Sequence, residues 1–302
     1  MSNQLRIPSP WTQLGIFLGL FGTGFVVTSI VMILYSVATG NPIVAEGETD
    51  VATLKTLQGI SSVTIFLLPS LAFALIVFWG NYARNLGFNK VYDNRLYLFA
   101  TAIIVLGFPF LYLLSEINSL VPLPQWMIEM EERTTQQLME FLKAGSITDV
   151  LINLLIIAVL PAICEEVCFR GALQPVFIRI TGKPILGIIV TAAFFSALHL
   201  QFQGFLPRFY LGVMLGLLFL YSGSILPSIL AHFINNGVQV MMVSSNPEYV
   251  EHDPNLPIWM GLISGGLIAW LLMTYIRISR ASAPKPVEVE QEVKDFGDIN
   301  KL

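Results

Sequence analysis

The chain has 302 residues, 55% of them hydrophobic and only 12% charged, with a formal net charge of −4. Soluble domains carry roughly 25% charged residues, and a water-soluble fold could not hide this much apolar surface at a mean hydropathy of +0.71. The bulk numbers imply an all-α, polytopic membrane protein. They exclude a basic nucleic-acid binder, because no cationic stripe is present.

In chain order, eight apolar runs reach or approach the ~20 residues that cross a bilayer. They lie near 12–37, 56–79, 96–117, 147–169, 185–200, 207–222, 225–245 and 257–277. The first follows Arg6 and is longer than the 7–15 residues typical of a signal-peptide core, so Ser36-Val37-Ala38 reads as part of a retained span. Pro69, Pro109 and Pro161 fall inside spans, where neighbouring helices can satisfy freed backbone groups. Between the third and fourth runs, residues 124–144 place Trp126, Met127, Met130, Leu138, Phe141 and Leu142 among acids and glutamines, the pattern of an interfacial amphipathic helix. One membrane domain is expected over 1–280, with its core motifs at 147–245. The polar segment 281–302 is expected to be a disordered tail, and it does not end in a prenylation box.

Lys and Arg alternate across the loops. Arg6, then Arg84, Lys90 and Arg95, then Arg179 and Lys183, then Arg277, Arg280 and Lys285 fall on one side. Glu46, Glu48 and Asp50, then Glu129, Glu131 and Glu132, then Glu248, Glu251 and Asp253 fall on the other. The positive-inside rule predicts both termini in the cytoplasm. The cell membrane is the expected location, with the lipid bilayer as partner and no nucleic acid.

Charged groups inside apolar runs are costly and usually functional. On a helix, Glu166 and Arg170 stand four apart and can pair, while Glu165 is turned about 100° away. Glu166 can then be neutralised by Arg170, leaving Glu165 to face a cavity as a general base. The bland reading, a Glu–Arg pair that glues helices, serves Glu166 better than Glu165. His199 closes the fifth run, with Phe195 one turn before it. His232 and Asn236 share a face in the seventh run and suit a developing oxyanion, though they could equally be an interhelical hydrogen-bonding pair. Asn235 points elsewhere and reads as packing, and His252 reads as a solvated bystander. Cys164 and Cys168, one turn apart, read as small buried hydrophobes rather than a disulfide or soft metal ligands.

The ordered set Glu-Glu-x-x-x-Arg, Phe-x-x-x-His and His-x-x-x-Asn, over about 147–245, resembles the CAAX prenyl endoproteases and bacteriocin-processing enzymes, the CPBP or Abi intramembrane proteases. Residues 1–146 resemble the family only in being several membrane helices. The resemblance implies that Glu165 activates water and His199 holds it. His232 and Asn236 would stabilise the oxyanion, and Glu166, Arg170 and Phe195 would support the site. It implies an endopeptidase acting on a peptide or prenylated protein, with the cut expected near the cytoplasmic half of the bilayer.

No cofactor is favoured. The alternative is a zinc-dependent metalloprotease with Glu165, His199 and His232 as ligands, although no His-Glu-x-x-His is present. Two other readings compete. One is a non-proteolytic bacteriocin-immunity or scaffold protein, which a missing motif residue would have favoured. The other is a transporter with a Glu/His proton relay, which predicts polar residues continuing through several helices. Counting along straight helices leaves one conflict: His199 falls about 24 Å from Lys183, whereas Glu165 falls near the cytoplasmic end.

Overall fold

A computed structural model describes residues 5–40, 51–142, 146–245 and 256–282. Among them the chain is helical, apart from a single antiparallel bridge between Leu5 and Phe78. The helices are α1 (Pro10–Thr39), α2 (Val51–Val77), α3 (Arg95–Val105), α4 (Phe108–Ser119), α5 (Gln125–Leu142), α6 (Ile147–Thr181), α7 (Pro184–Ala197), α8 (Phe205–Ser222), α9 (Leu226–Ser245) and α10 (Ile258–Ser282). Each apolar run lies on one of these helices or on a bent pair, and α5 covers the amphipathic segment.

The expected count of eight spans is not confirmed. Among the described residues five helices are long and apolar enough to cross a membrane: α1, α2, α6, α8 and α10. A sixth arises if α3 and α4, bent by 42°, are one span. Pro109 and Gly107 explain the bend. Proline removes a backbone donor and its ring pushes on the carbonyl one turn back, and Ser264 Oγ on α10 donates to the freed Leu106 carbonyl at 2.6 Å. Helix α7 has only 14 residues. In α9 the polar residues His232, Asn235, Asn236 and Gln239 dilute the apolar character. The chain is nonetheless an integral, multi-pass membrane protein in composition and architecture. The acids at 46–50 and 248–253, His252, and the tail beyond 282 lie outside the described residues.

Proline also explains three π-helical stretches, at Ser62–Leu67, Leu154–Val159 and Val167–Leu173. Each ends two residues before a proline: Pro69, Pro161 and Pro175. A proline cannot donate to its i−4 carbonyl and crowds it. The backbone widens instead, with Leu68 N–H reaching Val63 O, Leu160 N–H reaching Leu155 O, and Gln174 N–H reaching Phe169 O. Two of these stretches bracket Glu165 and Glu166, and such bulges recur at functional sites.

The conflict over His199 dissolves once α6 is followed to its end. The fourth run does not stop at 169 but continues helically to Thr181. Glu165 is therefore about 24 Å from that end at 1.5 Å per residue, in the middle of the helix and not close to either end. Gly182 adopts a left-handed φ of 65°, and α7 turns back antiparallel to α6. A Cβ on Gly187 would lie 2.7 Å from Ile178 Cα, and the rings of Phe169 and Phe195 meet at 5.0 Å. His199, as far past the turn as Glu165 is before it, comes level with Glu165.

Helix α8 then runs alongside α6. Arg170 Nη2 donates to Gly212 O at 3.0 Å, and Gln174 Nε2 to Gly216 O at 3.1 Å, two rungs one turn apart. Gly212 and Gly216 form a small-x-x-x-small stripe that lets helices approach closely in a bilayer. A Cβ on Gly212 would meet Ala192 Cβ at 3.0 Å and Phe195 Cδ1 at 3.2 Å, and one on Gly216 would meet Ile188 Cγ2 at 2.8 Å. Gly212→Val is expected to destabilise by about 1–3 kcal/mol, the usual cost of overpacking. The check is the thermal midpoint in detergent, and an unchanged midpoint would show that α8 can shift freely.

Two buried apolar clusters flank this region. One joins Phe17, Phe21, Phe73, Phe169 and Phe195 from α1, α2, α6 and α7. The other joins Leu96, Ile103, Leu211, Leu215, Ile268 and Tyr275 from α3, α8 and α10. The polar residues of α6 and α9 lie between them.

Candidate active site

Glu166 and Arg170 form the expected pair. Arg170 Nη1 donates to Glu166 Oε1 at 2.7 Å, and both side chains are fully buried. Arg170 also lies over the Phe195 ring, 5.0 Å from its centroid. The expectation that Arg170 alone neutralises Glu166 is incomplete, because His232 Nδ1 meets the same Oε1 at 2.9 Å. A carboxylate oxygen only accepts, so Nδ1 carries the proton. This bond points the other ring nitrogen, Nε2, toward Glu165.

Glu165 lies on the other side of the imidazole. Its Oε2 is 3.9 Å from His232 Nε2, and the residue is 9% exposed. That separation is too long for a direct hydrogen bond. A water could touch both atoms at about 2.8 Å each. Among the described residues Glu165 Oε2 is buried with no hydrogen-bond partner, as are Glu166 Oε2 and Arg170 Nε. A buried, unpartnered carboxylate oxygen is costly to desolvate and is the exception to explain.

His199 arrives just past the end of α7 and is exposed. Its Nδ1 donates to Phe195 O at 2.9 Å, one turn back. The carbonyl fixes that tautomer, so neutral His199 presents Nε2 as an acceptor. The Phe195 ring stands edge-on to both imidazoles, 5.1 Å from His199 and 5.9 Å from His232. Phe195 is therefore the spacer between the two histidines, and the contact with Gly212 keeps it there.

Asn236 lies one turn beyond His232 and does something that residue spacing does not show. Its Nδ2 donates to Ile157 O at 3.2 Å. Ile157 lies in the widened stretch four residues before Pro161, so Asn236 ties α9 to that stretch of α6. One Nδ2 hydrogen remains. Asn235, expected to face elsewhere, is buried and donates from Nδ2 to Asn236 Oδ1 at 3.0 Å. It fixes which way the Asn236 amide points. Pro161 inside an apolar run was the available signal for that widened stretch.

Cys164 and Cys168 are free and buried. Among the described residues no three His, Cys, Asp or Glu side chains come together as a metal-binding group. His232 engages Nδ1 with Glu166 and His199 engages Nδ1 with Phe195 O, which leaves Nε2 as the available ring nitrogen of each.

The arrangement can hold a water between a free carboxylate and an imidazole, next to a second imidazole and an oriented amide. No curated protein and no solved structure matches the chain. Residues 147–238, which carry every side chain of this cluster, match the family model for type II CAAX prenyl endopeptidase Rce1-like proteins, the family of CAAX proteases that the ordered motifs resemble.

Proposed function

We propose that the protein is an intramembrane endopeptidase in which Glu165 activates water to hydrolyse a peptide bond of a membrane-associated peptide or protein, prenylated or not. The observation that carries this reading is the division of labour between adjacent carboxylates. Glu166 is spent on Arg170 and His232, while Glu165 keeps a buried, unpartnered oxygen 3.9 Å from His232 Nε2.

In this scheme a water sits between Glu165 Oε2 and the histidines. His199 Nε2 accepts a hydrogen bond from it and so orients it. Glu165 takes the other proton as the oxygen attacks the scissile carbonyl, then passes that proton to the departing amine. The oxyanion is met by the second Nδ2 hydrogen of Asn236 and by Nε2–H of His232 in its imidazolium form. Glu166 supports that cation through Nδ1. Catalysis needs no metal in this reading, and the cell membrane is the proposed location. An immunity or scaffold role finds no support in the residues, since every motif position is filled and assembled.

The test uses purified protein in detergent with a peptide library. Cleavage is expected, with no loss on chelation and no stoichiometric zinc by elemental analysis. About one zinc per chain, lost when His199 and Glu165 are replaced together, would overturn the metal-free mechanism. Absence of any cleavage by stable, monodisperse protein would favour the scaffold role.

A further inference from the structure

The basic residues gather at one end of the bundle. The segment between α2 and α3, which carries Arg84 and Lys90, is tied to the α8–α9 turn: Asn89 Nδ2 donates to Gly223 O at 2.9 Å, and Ile225 N–H donates to Gly87 O at 2.8 Å. The end of α10 joins them, with Arg280 over the Tyr221 ring at 5.8 Å. Arg6 lies over the Trp79 ring at 4.3 Å. Arg179 donates to Gln13 beside the α6–α7 turn, which also holds Lys183. The opposite end carries Glu116, Glu129, Glu131, Glu132 and Asp149, with Lys55, Arg133 and Arg208 as its cations among the described residues. By the positive-inside rule the first end is cytoplasmic.

From Glu165 the way to the basic end is closed. Phe169, Arg170, Leu173, Gln174, Leu215 and Leu218 fill it, none more than 1% exposed. Toward the acidic end α6 stays buried through Cys164, Ala162 and Ala158, but exposure rises along α7 past Phe195: His199 and Gln203 are exposed, and Leu200 is 61% exposed. Leu200 also has a φ of 53°, a left-handed conformation that a leucine seldom adopts and that neighbours must enforce. The enforcing contacts come from the acidic end. Asn118, just before the last residue of α4, donates to Phe202 O at 2.9 Å and accepts from Leu206 N–H at 2.8 Å. Glu131 on α5 accepts from Gln203 N–H at 3.1 Å with both oxygens. Trp126 packs edge-on to Phe202 at 6.2 Å, and Arg208 Nη2 donates to Gln201 O at 2.7 Å.

We infer that the site opens to the non-cytoplasmic face, across a threshold built from the 199–204 loop and the amphipathic helix α5. This rests on the protease reading above and narrows its substrate class. The substrate is a polypeptide segment presented at the outer surface of the membrane, as in an exported or membrane-anchored chain. A prenylated tail confined to the cytoplasm does not reach the water.

The test is cysteine labelling by a membrane-impermeant maleimide in right-side-out and inverted vesicles. Wild type, with Cys164 and Cys168 buried, is the blank. Leu200→Cys at the threshold is compared with Glu132→Cys at the acidic end and Lys90→Cys at the basic end. Gln203→Cys on the same loop replaces Leu200→Cys if that variant does not accumulate. Labelling of Leu200→Cys and Glu132→Cys is expected in right-side-out vesicles and lost in inverted ones, with Lys90→Cys the reverse. Labelling of Leu200→Cys together with Lys90→Cys, from both faces equally, or from neither overturns the inference. A reporter peptide added outside should be cleaved by right-side-out vesicles alone. If neither orientation cleaves while the labelling holds, the protease reading fails and the orientation stands.

Discussion

Replacing Glu165 with glutamine is expected to lower peptide hydrolysis by about 10²–10⁴, the usual scale for losing a general base. The amide keeps the volume and the hydrogen-bonding shape but cannot take a proton from water. Folding should survive. Glu165 Oε2 has no hydrogen-bond partner to lose, and its nearest charged neighbour, His232 Nε2, is 3.9 Å away. The thermal midpoint of Glu165→Gln in detergent should therefore stay close to wild type while turnover collapses. That pairing separates a catalytic carboxylate from a structural one. Glu165→Gln with full turnover would remove Glu165 from the role of base and leave the water without an acceptor.

Much of the site is legible in the sequence because helical spacing is local information. Glu166 and Arg170 four apart predict a pair, and they form one at 2.7 Å. Phe195 and His199 one turn apart predict ring contact, and their centroids are 5.1 Å apart. What spacing does not carry is where a helix stops and which carbonyls it leaves open. Ending the fourth run at 169 displaced Glu165 toward one face and stranded His199. Helix α6 continues because Arg170 and Gln174, polar though they are, are satisfied by carbonyls of α8. That is tertiary information. Asn236 is a similar case. Its partner, Ile157 O, lies on a different helix, in the widened stretch before Pro161. The count of eight spans is not confirmed where polar site residues thin the hydropathy of α9 and where the return helix α7 is short. A membrane helix lined with catalytic groups looks less apolar than one facing lipid, so the functional region is where counting by hydropathy is weakest.

Arg170→Ala is expected to destabilise the protein by about 3–5 kcal/mol, because it leaves a buried carboxylate without its cation. Arg170 and Glu166 are both fully buried, and Arg170 also supplies the donor for Gly212 O, so one substitution opens the α6–α8 contact and uncovers a charge. Glu166 Oε1 would keep only His232 Nδ1 as a partner. The consequence reaches the reaction as well, since Glu166 fixes the imidazole that faces Glu165. Glu166→Gln with Arg170→Met removes both charges at similar volume, so no uncompensated charge is left buried, which is the main cost of breaking such a pair. The double variant is expected to recover most of the midpoint lost in Arg170→Ala but little of the activity, because His232 then lacks the carboxylate that supports its cation. Thermal unfolding and initial rates on the two variants read the two effects separately. An Arg170→Ala protein as stable as wild type yet inactive would move Arg170 from brace to a direct part in the chemistry. A double variant that regained both stability and turnover would show that the pair holds helices together and does nothing more.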